Sequence, residues 1–189
     1  GWYIILIFIM LYKIGDALAG VMTNPFLMEV GFSKTEIAAI VKTYGFFATT
    51  AGAFVAGIMV LKIGNFNSLW ICGFLQMISN LGFLLQAQYG HDVAVLSIVI
   101  TIENFTSGMG GTAFVAYIST ICSFRYTATQ YALLTSIAAF GRTIFSGPAG
   151  ILAENFGWYW FFILSVVGAI PGLMALAAVY YRAFANNEE

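Results

Sequence analysis

Long apolar stretches alternate with short polar ones along the whole chain. An α-helix needs roughly 20 apolar residues to cross the hydrocarbon core of a bilayer, and each of these stretches is about that long or longer. The pattern predicts an all-α membrane protein with six transmembrane helices and no loop large enough for a soluble domain. The predicted helices run at about 2 to 28, 36 to 61, 68 to 88, 93 to 122, 128 to 149 and 158 to 181.

The composition points to the lipid bilayer as the solvent. Hydrophobic residues make up 61% of the chain and charged residues 8%, whereas soluble domains carry about 25% charged residues. The net charge is -1 and no cluster of Lys and Arg is present, which argues against a nucleic-acid partner. Cys72 and Cys122 lie apart inside apolar stretches and His91 stands alone in a polar loop, so we predict no disulfide framework, metal site or cofactor.

The short loops fix which ends of the helices share a side of the membrane. The chain start, the loops around Lys62 and Arg125 and the C-terminal tail fall on one side, together with most of the loop cations. The other side carries Lys34 alone. The positive-inside rule therefore predicts that both termini of this segment are cytoplasmic.

Two sets of sequence marks indicate an internal repeat. Helix-start signals of capping-box form occur at Ser33 to Glu36 and at Thr127 to Gln130, and each is followed at similar spacing by two glycines, Gly57 and Gly64 in one case, Gly150 and Gly157 in the other. Three helices per repeat is an odd number, so the repeats would be inverted in the membrane, as in one half of a major facilitator fold. A chance match of common small residues is the alternative.

Five ionisable residues lie deep within the predicted spans. An isolated Arg, Lys or Asp at the centre of a transmembrane helix costs on the order of 3 kcal/mol, so such residues face a polar cavity or pair with one another. One more cation than anion is present, which favours an anionic ligand. The five residues are Lys13, Asp16, Lys42, Glu103 and Arg142.

The first span carries its two charges on a polar stripe. Lys13, Asp16, Gly20 and Asn24 recur at spacings of three and four, which places them on one helix face. We expect that face to line a cavity. The alternative is a purely structural pair between Lys13 and Asp16 at positions i and i+3.

The fourth and fifth spans carry the other candidate residues. Glu103 and Asn104 begin a run of polar and small residues that ends at Gly111, and Glu103 is either a proton carrier or the structural partner of a basic residue. On the fifth span Thr135, Ala139, Arg142 and Ser146 form a small polar face before Gly147-Pro148 breaks the helix. Arg142 suits a bidentate carboxylate or phosphate, or else pairs with Glu103.

At these residues the sequence resembles the AmpG-type muropeptide permeases of the major facilitator superfamily. The matching motifs are YKIGDALAG (Tyr12 to Gly20), VKTYG (Val41 to Gly45), LQMISNLG (Leu75 to Gly82), ENFTSGMG (Glu103 to Gly110), TATQYALL (Thr127 to Leu134), FGR (Phe140 to Arg142) and PGL (Pro171 to Leu173). They all correspond to the C-terminal six-helix half of that family. The resemblance thus implies that residues 1–189 are one half of a transporter whose N-terminal half is absent, whether as a fragment or as a split-gene product.

The resemblance also implies a function. It predicts import of GlcNAc-anhydro-MurNAc, with or without a stem peptide, across the bacterial inner membrane by proton symport, in a pathway that recycles peptidoglycan and feeds β-lactamase induction. It makes the five deep charges and Asn104 candidates for substrate binding or proton coupling. One departure is the loop signature of the superfamily, which survives only as GIMVLKIGNFN from Gly57 to Asn67 with Leu61 at its Asp position. A charge latch in that loop is therefore not expected.

Three other functions compete with this one. A related facilitator for another bulky anion, such as an acyl-CoA, fits the same residues. An intramembrane enzyme that uses Glu103 or Asp16 as acid or base is less favoured, because the sequence shows no nucleophile elbow, metal motif or paired-carboxylate motif. A scaffold without transport activity would leave the deep charges without a purpose.

Overall fold

The computed structural model describes residues 2–123 and 126–185, with side chains to residue 182. This part of the chain is helical, with short turns and no strands. Arg125, one of the cations used above to orient the chain, lies outside the described residues. The helices are α1 (Trp2–Leu11), α2 (Ile14–Val30), α3 (Lys34–Ile63), α4 (Asn65–Ser79), α5 (Gly82–Tyr89), α6 (Val93–Ile121), α7 (Thr127–Ser146) and α8 (Ala149–Ala185).

Within the described residues, five helical spans are long and apolar enough to cross a membrane. They are Trp2–Val30, Lys34–Ile63, Asn65–Tyr89, Val93–Ile121 and Ala149–Arg182, each within a few residues of a predicted span except at the start of the last. The remaining predicted span corresponds to α7, which is helical but less apolar than these five. The protein is therefore a multi-pass α-helical membrane protein.

Glycine ends the second span and interrupts the last one. Gly64 (φ 82°, ψ 167°) follows α3, and Gly157 (φ 75°, ψ 165°) is a kink inside α8. Both lie at positive φ, where a side chain would be strained. Because of this kink, residues 149–156 continue from the Gly147-Pro148 turn, and the final crossing begins after Gly157.

The predicted helix-start signals have different outcomes. Ser33 caps α3 with a complete capping box, in which its side chain accepts from the Glu36 N–H and Glu36 accepts from the Ser33 N–H. The second box is wrong, because the N-cap of α7 is Tyr126, with no side-chain cap hydrogen bond. Gln130 instead reaches back and accepts from the Ser123 N–H at 2.6 Å. The preceding loop is thus tied to α7 in a different way from the loop before α3.

The helices pack through glycines at their closest crossings. A Cβ on Gly52 of α3 would collide with the backbone of Phe105, and one on Gly108 of α6 would collide with the backbone of Thr49. The first span approaches α8 in the same manner, because a Cβ on Gly172 would lie 2.7 Å from the Leu11 carbonyl oxygen. Small residues at such crossings let backbones approach and gain van der Waals contact in lipid.

Two apolar cores fill the two ends of the bundle. One contains Phe26, Phe83 and Phe162, near the loops that follow the first and third spans. The other contains Phe8, Leu69 and Phe114 and lies near the chain start. Between them, the first, third and fourth spans all contribute polar side chains. The midpoint of the bundle is therefore polar rather than apolar.

Candidate functional site

We call the polar midpoint of the bundle the polar layer. It combines charged, amide and hydroxyl side chains, most of which are buried. Such groups are rare inside membrane spans and mark functional positions. The polar layer consists of Lys13, Asp16, Gln76, Ser79, Asn80, Glu103, Asn104, Thr106 and Ser107.

Two spans lose regular helical structure at this level. The first span is interrupted at Tyr12 and Lys13, between α1 and α2, and the third at Asn80 and Leu81, between α4 and α5. The two interruptions lie close together, because Asn80 Nδ2 donates at 3.3 Å to the carbonyl oxygen of Gly15, two residues beyond the first interruption. Broken helices in membranes occur where the irregular backbone is buried in protein, and Tyr12, Lys13 and Asn80 are buried inside the bundle.

Lys13 and Asp16 form an ion pair inside the bundle. Lys13 Nζ lies 3.0 Å from Asp16 Oδ2, and the two side chains are 9% and 16% exposed. Ser107 Oγ of α6 donates to the same carboxylate oxygen at 3.3 Å, and Gln76 lies beside the Asp16 carboxyl group. Pairing and hydrogen bonding offset the cost of burying the two charges.

The outcome for the predicted polar stripe is split. Lys13 and Asp16 face the interior and make the structural pair that was the alternative prediction. Gly20 and Asn24, further along α2, are exposed. The prediction assumed one continuous helix, but the helix is interrupted at Tyr12 and Lys13. The charged half of the stripe faces the interior, where polar side chains of the third and fourth spans lie beside it.

Glu103 is a carboxyl group without a cationic partner. Its Oε2 accepts a hydrogen bond from Asn104 Nδ2 at 2.8 Å, and it is close enough to Asp16 and Lys13 to be affected by their charges. No ion pair involves Glu103 within the described part of the chain. The predicted alternative of a pair with Arg142 is therefore absent from these residues.

Thr106 and Ser79 connect the fourth span to the third. Thr106 Oγ1 and Ser79 Oγ lie 2.9 Å apart, and both side chains are buried. The neighbouring Asn80 Oδ1 is buried without a hydrogen-bond partner among the residues described. An unpaired buried acceptor costs free energy, which sets this part of the polar layer apart from a fully satisfied structural network.

Lys42 lies on an exposed face next to the polar layer. It lines two adjoining cavities of about 370 and 540 Å³, which share Val41 and Lys42. Asn24 and Lys34 contribute to the smaller cavity, and Asn104 contributes to the larger. Lys42 itself is exposed. An open cavity with a cation and hydrogen-bonding side chains can take an anionic ligand.

Arg142 stands apart from this cavity. It is exposed on α7 and lines neither of the two cavities around Lys42. Its guanidinium group makes no ion pair in residues 2–123 and 126–185. The structure thus brings together Lys13, Asp16, Glu103 and Asn104. Lys42 lies across the cavity that Asn104 also lines, and Arg142 is a separate exposed cation.

Sequence reasoning missed the contribution of the third span. Gln76, Ser79 and Asn80 are polar residues at spacings of three and four inside an apolar stretch, so they share a helix face. That spacing was a usable signal. Thr49 was missed as well, and it has no such pattern, because its importance depends on its contact with Asn104 across two helices.

The fold and the polar layer define a polytopic membrane protein with charged groups at mid-span, and comparison with known proteins gives its relatives. No family model matches the chain. It is 41% identical over 172 residues to putative transporter AmpG 4 of Rickettsia felis, which covers 91% of this chain and 42% of that protein. It is 39% identical over 175 residues to the anhydromuropeptide permease of Escherichia coli K12, an alignment that covers 92% of this chain and 36% of that permease. Putative transporter AmpG 1 of Rickettsia prowazekii is 36% identical over 176 residues, which are 93% of this chain and 40% of that transporter.

The chain is therefore a homologue of the AmpG-type muropeptide permeases along almost its whole length. It spans about two fifths of the curated relatives that it matches. The relatives are named as transporters or permeases, which points away from an enzyme.

Proposed function

We propose that this chain is the C-terminal six-helix half of a secondary transporter that imports anhydro-muropeptides across the bacterial inner membrane together with protons, for peptidoglycan recycling. The observation that carries the proposal is the 39% identity to the anhydromuropeptide permease of Escherichia coli over 92% of this chain. Both termini of the segment then lie in the cytoplasm, as the distribution of loop cations predicts.

Packing supports two inverted three-helix repeats. The first span packs against α7 and α8, and α6, which would begin the second repeat, packs against α3 and α4. Each first helix therefore contacts the second and third helices of the other repeat. Gly64 and Gly157 occupy matching positions and have nearly equal backbone angles. These are the relations expected of two copies of one unit.

An N-terminal half of the same transporter would cover the exposed side of α3. This span has the smallest buried share of the five, 17%, and its exposed side chains include Phe46, Phe54 and Leu61. Lys42 lies on the same helix, and a charge is costly against lipid. The part of the relatives that this chain does not match is long enough to supply a second six-helix bundle.

Two exposed cations give the substrate its electrostatic partners. Lys13 is neutralised by Asp16, so the excess positive charge of the spans resides on Lys42 and Arg142. Both suit the carboxylates of a stem peptide. They would equally suit another bulky anion such as an acyl-CoA, which is the second candidate substrate.

Uptake by the intact transporter in liposomes tests the function. Labelled GlcNAc-anhydro-MurNAc with a stem peptide should accumulate inside when a proton gradient is imposed, and accumulation should stop when the gradient is dissipated. Excess unlabelled muropeptide should compete, whereas acyl-CoA should not. Competition by acyl-CoA alone would transfer the proposal to the second substrate, and the absence of any uptake or exchange would reject transport.

Arg142→Lys should separate a binding role from a structural one. Lysine keeps the positive charge but lacks the planar pair of donors, so a bidentate contact with a peptide carboxylate would be lost. Breaking such a contact costs about 2 to 5 kcal/mol, which corresponds to a loss of roughly thirtyfold or more in apparent affinity. Sugar-only substrate should be affected much less.

The same exchange at Arg182 provides the matched control. Arg182 is exposed near the end of α8, where it contacts Tyr3, far along the chain from the polar layer. Arg182→Lys should leave the affinities for both substrates unchanged. Equal losses for peptide-bearing and sugar-only substrate in Arg142→Lys, normalised to protein amount, would remove Arg142 from the binding site.

A further inference from the structure

The Asn104 side chain lies at the boundary between the cavity and the polar layer. On one side it lines the larger cavity together with Lys42 and Thr49. On the other side its Nδ2 donates to Glu103 Oε2 at 2.8 Å. Glu103 does not line that cavity. Asn104 is thus the connection by which a molecule in the cavity can affect the carboxyl group.

The Asn104 amide has no spare hydrogen-bonding proton. Its two Nδ2 protons serve Glu103 and the Ile100 carbonyl oxygen, the latter at 2.9 Å. Its Oδ1 accepts from Thr49 Oγ1 of α3 at 3.3 Å. A ligand with a hydrogen-bond acceptor can therefore gain a proton of this amide only if Glu103 or Ile100 loses one.

Gly45 holds the amide in this position. A Cβ at Gly45 would lie 3.2 Å from Asn104 Oδ1 and 3.4 Å from Nδ2, so the amide occupies the space that a side chain would need. Of the two acceptors, the Ile100 oxygen belongs to the helix backbone and is fixed, whereas the Glu103 oxygen is on a side chain that can rotate. The hydrogen bond to Glu103 is therefore the one that an incoming ligand takes.

We propose that Asn104 is a positioning residue that couples occupancy of the Lys42 cavity to the Glu103 carboxyl group. The inference rests on the proposed proton-coupled transport. A carboxylate or amide carbonyl of the substrate, attracted by Lys42, takes the hydrogen bond of Asn104. The Glu103 carboxylate then lacks its hydrogen-bond donor, and it binds a proton instead. Substrate and proton are in this way bound together rather than independently.

Asn104→Ala removes the link while leaving the cavity open. Because a charge-assisted hydrogen bond is lost, we expect the ratio of proton-driven accumulation to gradient-free exchange to fall about tenfold. The measurement is made on the intact transporter in liposomes, with labelled anhydro-muropeptide for both modes. A purely structural role would lower accumulation and exchange in equal proportion and leave the ratio unchanged, which would overturn the inference.

Gly45→Ala tests the same link without altering any polar group. The added methyl must push the Asn104 amide by a few tenths of an ångström, so the ratio should fall in the same direction by about threefold. Gly57→Ala is the matched control, because Gly57 lies on the same helix, outside the Lys42 cavity, and an added methyl there would meet no atom within 4 Å. The control should keep the wild-type ratio, and a fall as large as that of Gly45→Ala would overturn the inference.

A double variant shows whether Gly45 acts through Asn104. In an Asn104→Ala background, Gly45→Ala should cause no further loss, because the side chain that it displaces is gone. An additive loss would show that Gly45 acts by another route and would count against the link. Accumulation by the wild-type protein on a proton gradient reports the proposed function itself, so that function stands even if every variant keeps the wild-type ratio and the link through Asn104 is rejected.

Discussion

Replacing Glu103 by Gln is expected to abolish accumulation of substrate against a gradient while exchange between the two sides of the membrane continues. Gln copies the neutral form of the carboxyl group and cannot release a proton, so the cycle of proton binding and release stops. The measurements are proton-driven uptake and counterflow of labelled anhydro-muropeptide in liposomes. Labelled substrate should then equilibrate across the membrane without rising above its outside concentration, whereas protein-free vesicles should take up none.

The structure favours Glu103 over Asp16 for this role. Asp16 balances the charge of Lys13 at 3.0 Å, so protonating Asp16 would leave a buried cation unpaired. Glu103 has no ion-pair partner in the part of the chain that the structure describes, so protonating it leaves no buried cation unpaired. Glu29→Gln, at an exposed carboxyl group near the end of α2, serves as the control and should transport normally. A Glu103→Gln protein that still accumulates substrate in response to pH would pass the role to Asp16.

The second large effect concerns stability. Lys13→Met should destabilise the protein by about 3 to 5 kcal/mol, because it leaves the Asp16 carboxylate buried without its partner. Adding Asp16→Asn should recover much of the loss, since it removes the unpaired charge. Denaturant unfolding of the purified protein in detergent measures both.

Lys42→Met is the matched control for this stability prediction. Lys42 is exposed and makes no ion pair in the described chain, so its replacement should change the stability by less than about 1 kcal/mol. If Lys13→Met were tolerated as well as Lys42→Met, the Lys13–Asp16 pair would contribute nothing to the fold.

The limits of the spans were predictable because hydrophobicity averaged over a turn or more decides where a helix enters lipid. The interruptions at Tyr12–Lys13 and Asn80–Leu81 were not, because each is only two residues long and lies inside an apolar stretch. The second capping box was wrong because the same residue pattern permits more than one set of hydrogen bonds. A Thr and a Gln three residues apart permit that cap, but here the chain uses Gln130 to hold Ser123 instead.

The candidate site was only partly predictable. The residue types and depths of Lys13 and Glu103 mark them as candidate site residues from the sequence alone. Which of them share a cavity depends on how helices pack, and the sequence does not specify this. Lys42 and Asn104 meet at one cavity because Gly52 and Gly108 bring α3 and α6 together, whereas Arg142 on α7 lies elsewhere.

The buried amides of the third span constrain how the protein is made. Alone in lipid, Gln76 and Asn80 would have no hydrogen-bond partners outside their own helix, which costs several kcal/mol per group. One partner, the Gly15 carbonyl, is synthesised earlier, and the Thr106 hydroxyl that meets Ser79 is synthesised later. The third span is therefore a poor candidate for independent insertion. We expect it to insert against the first span and to be completed by the fourth, so that assembly follows the order of synthesis.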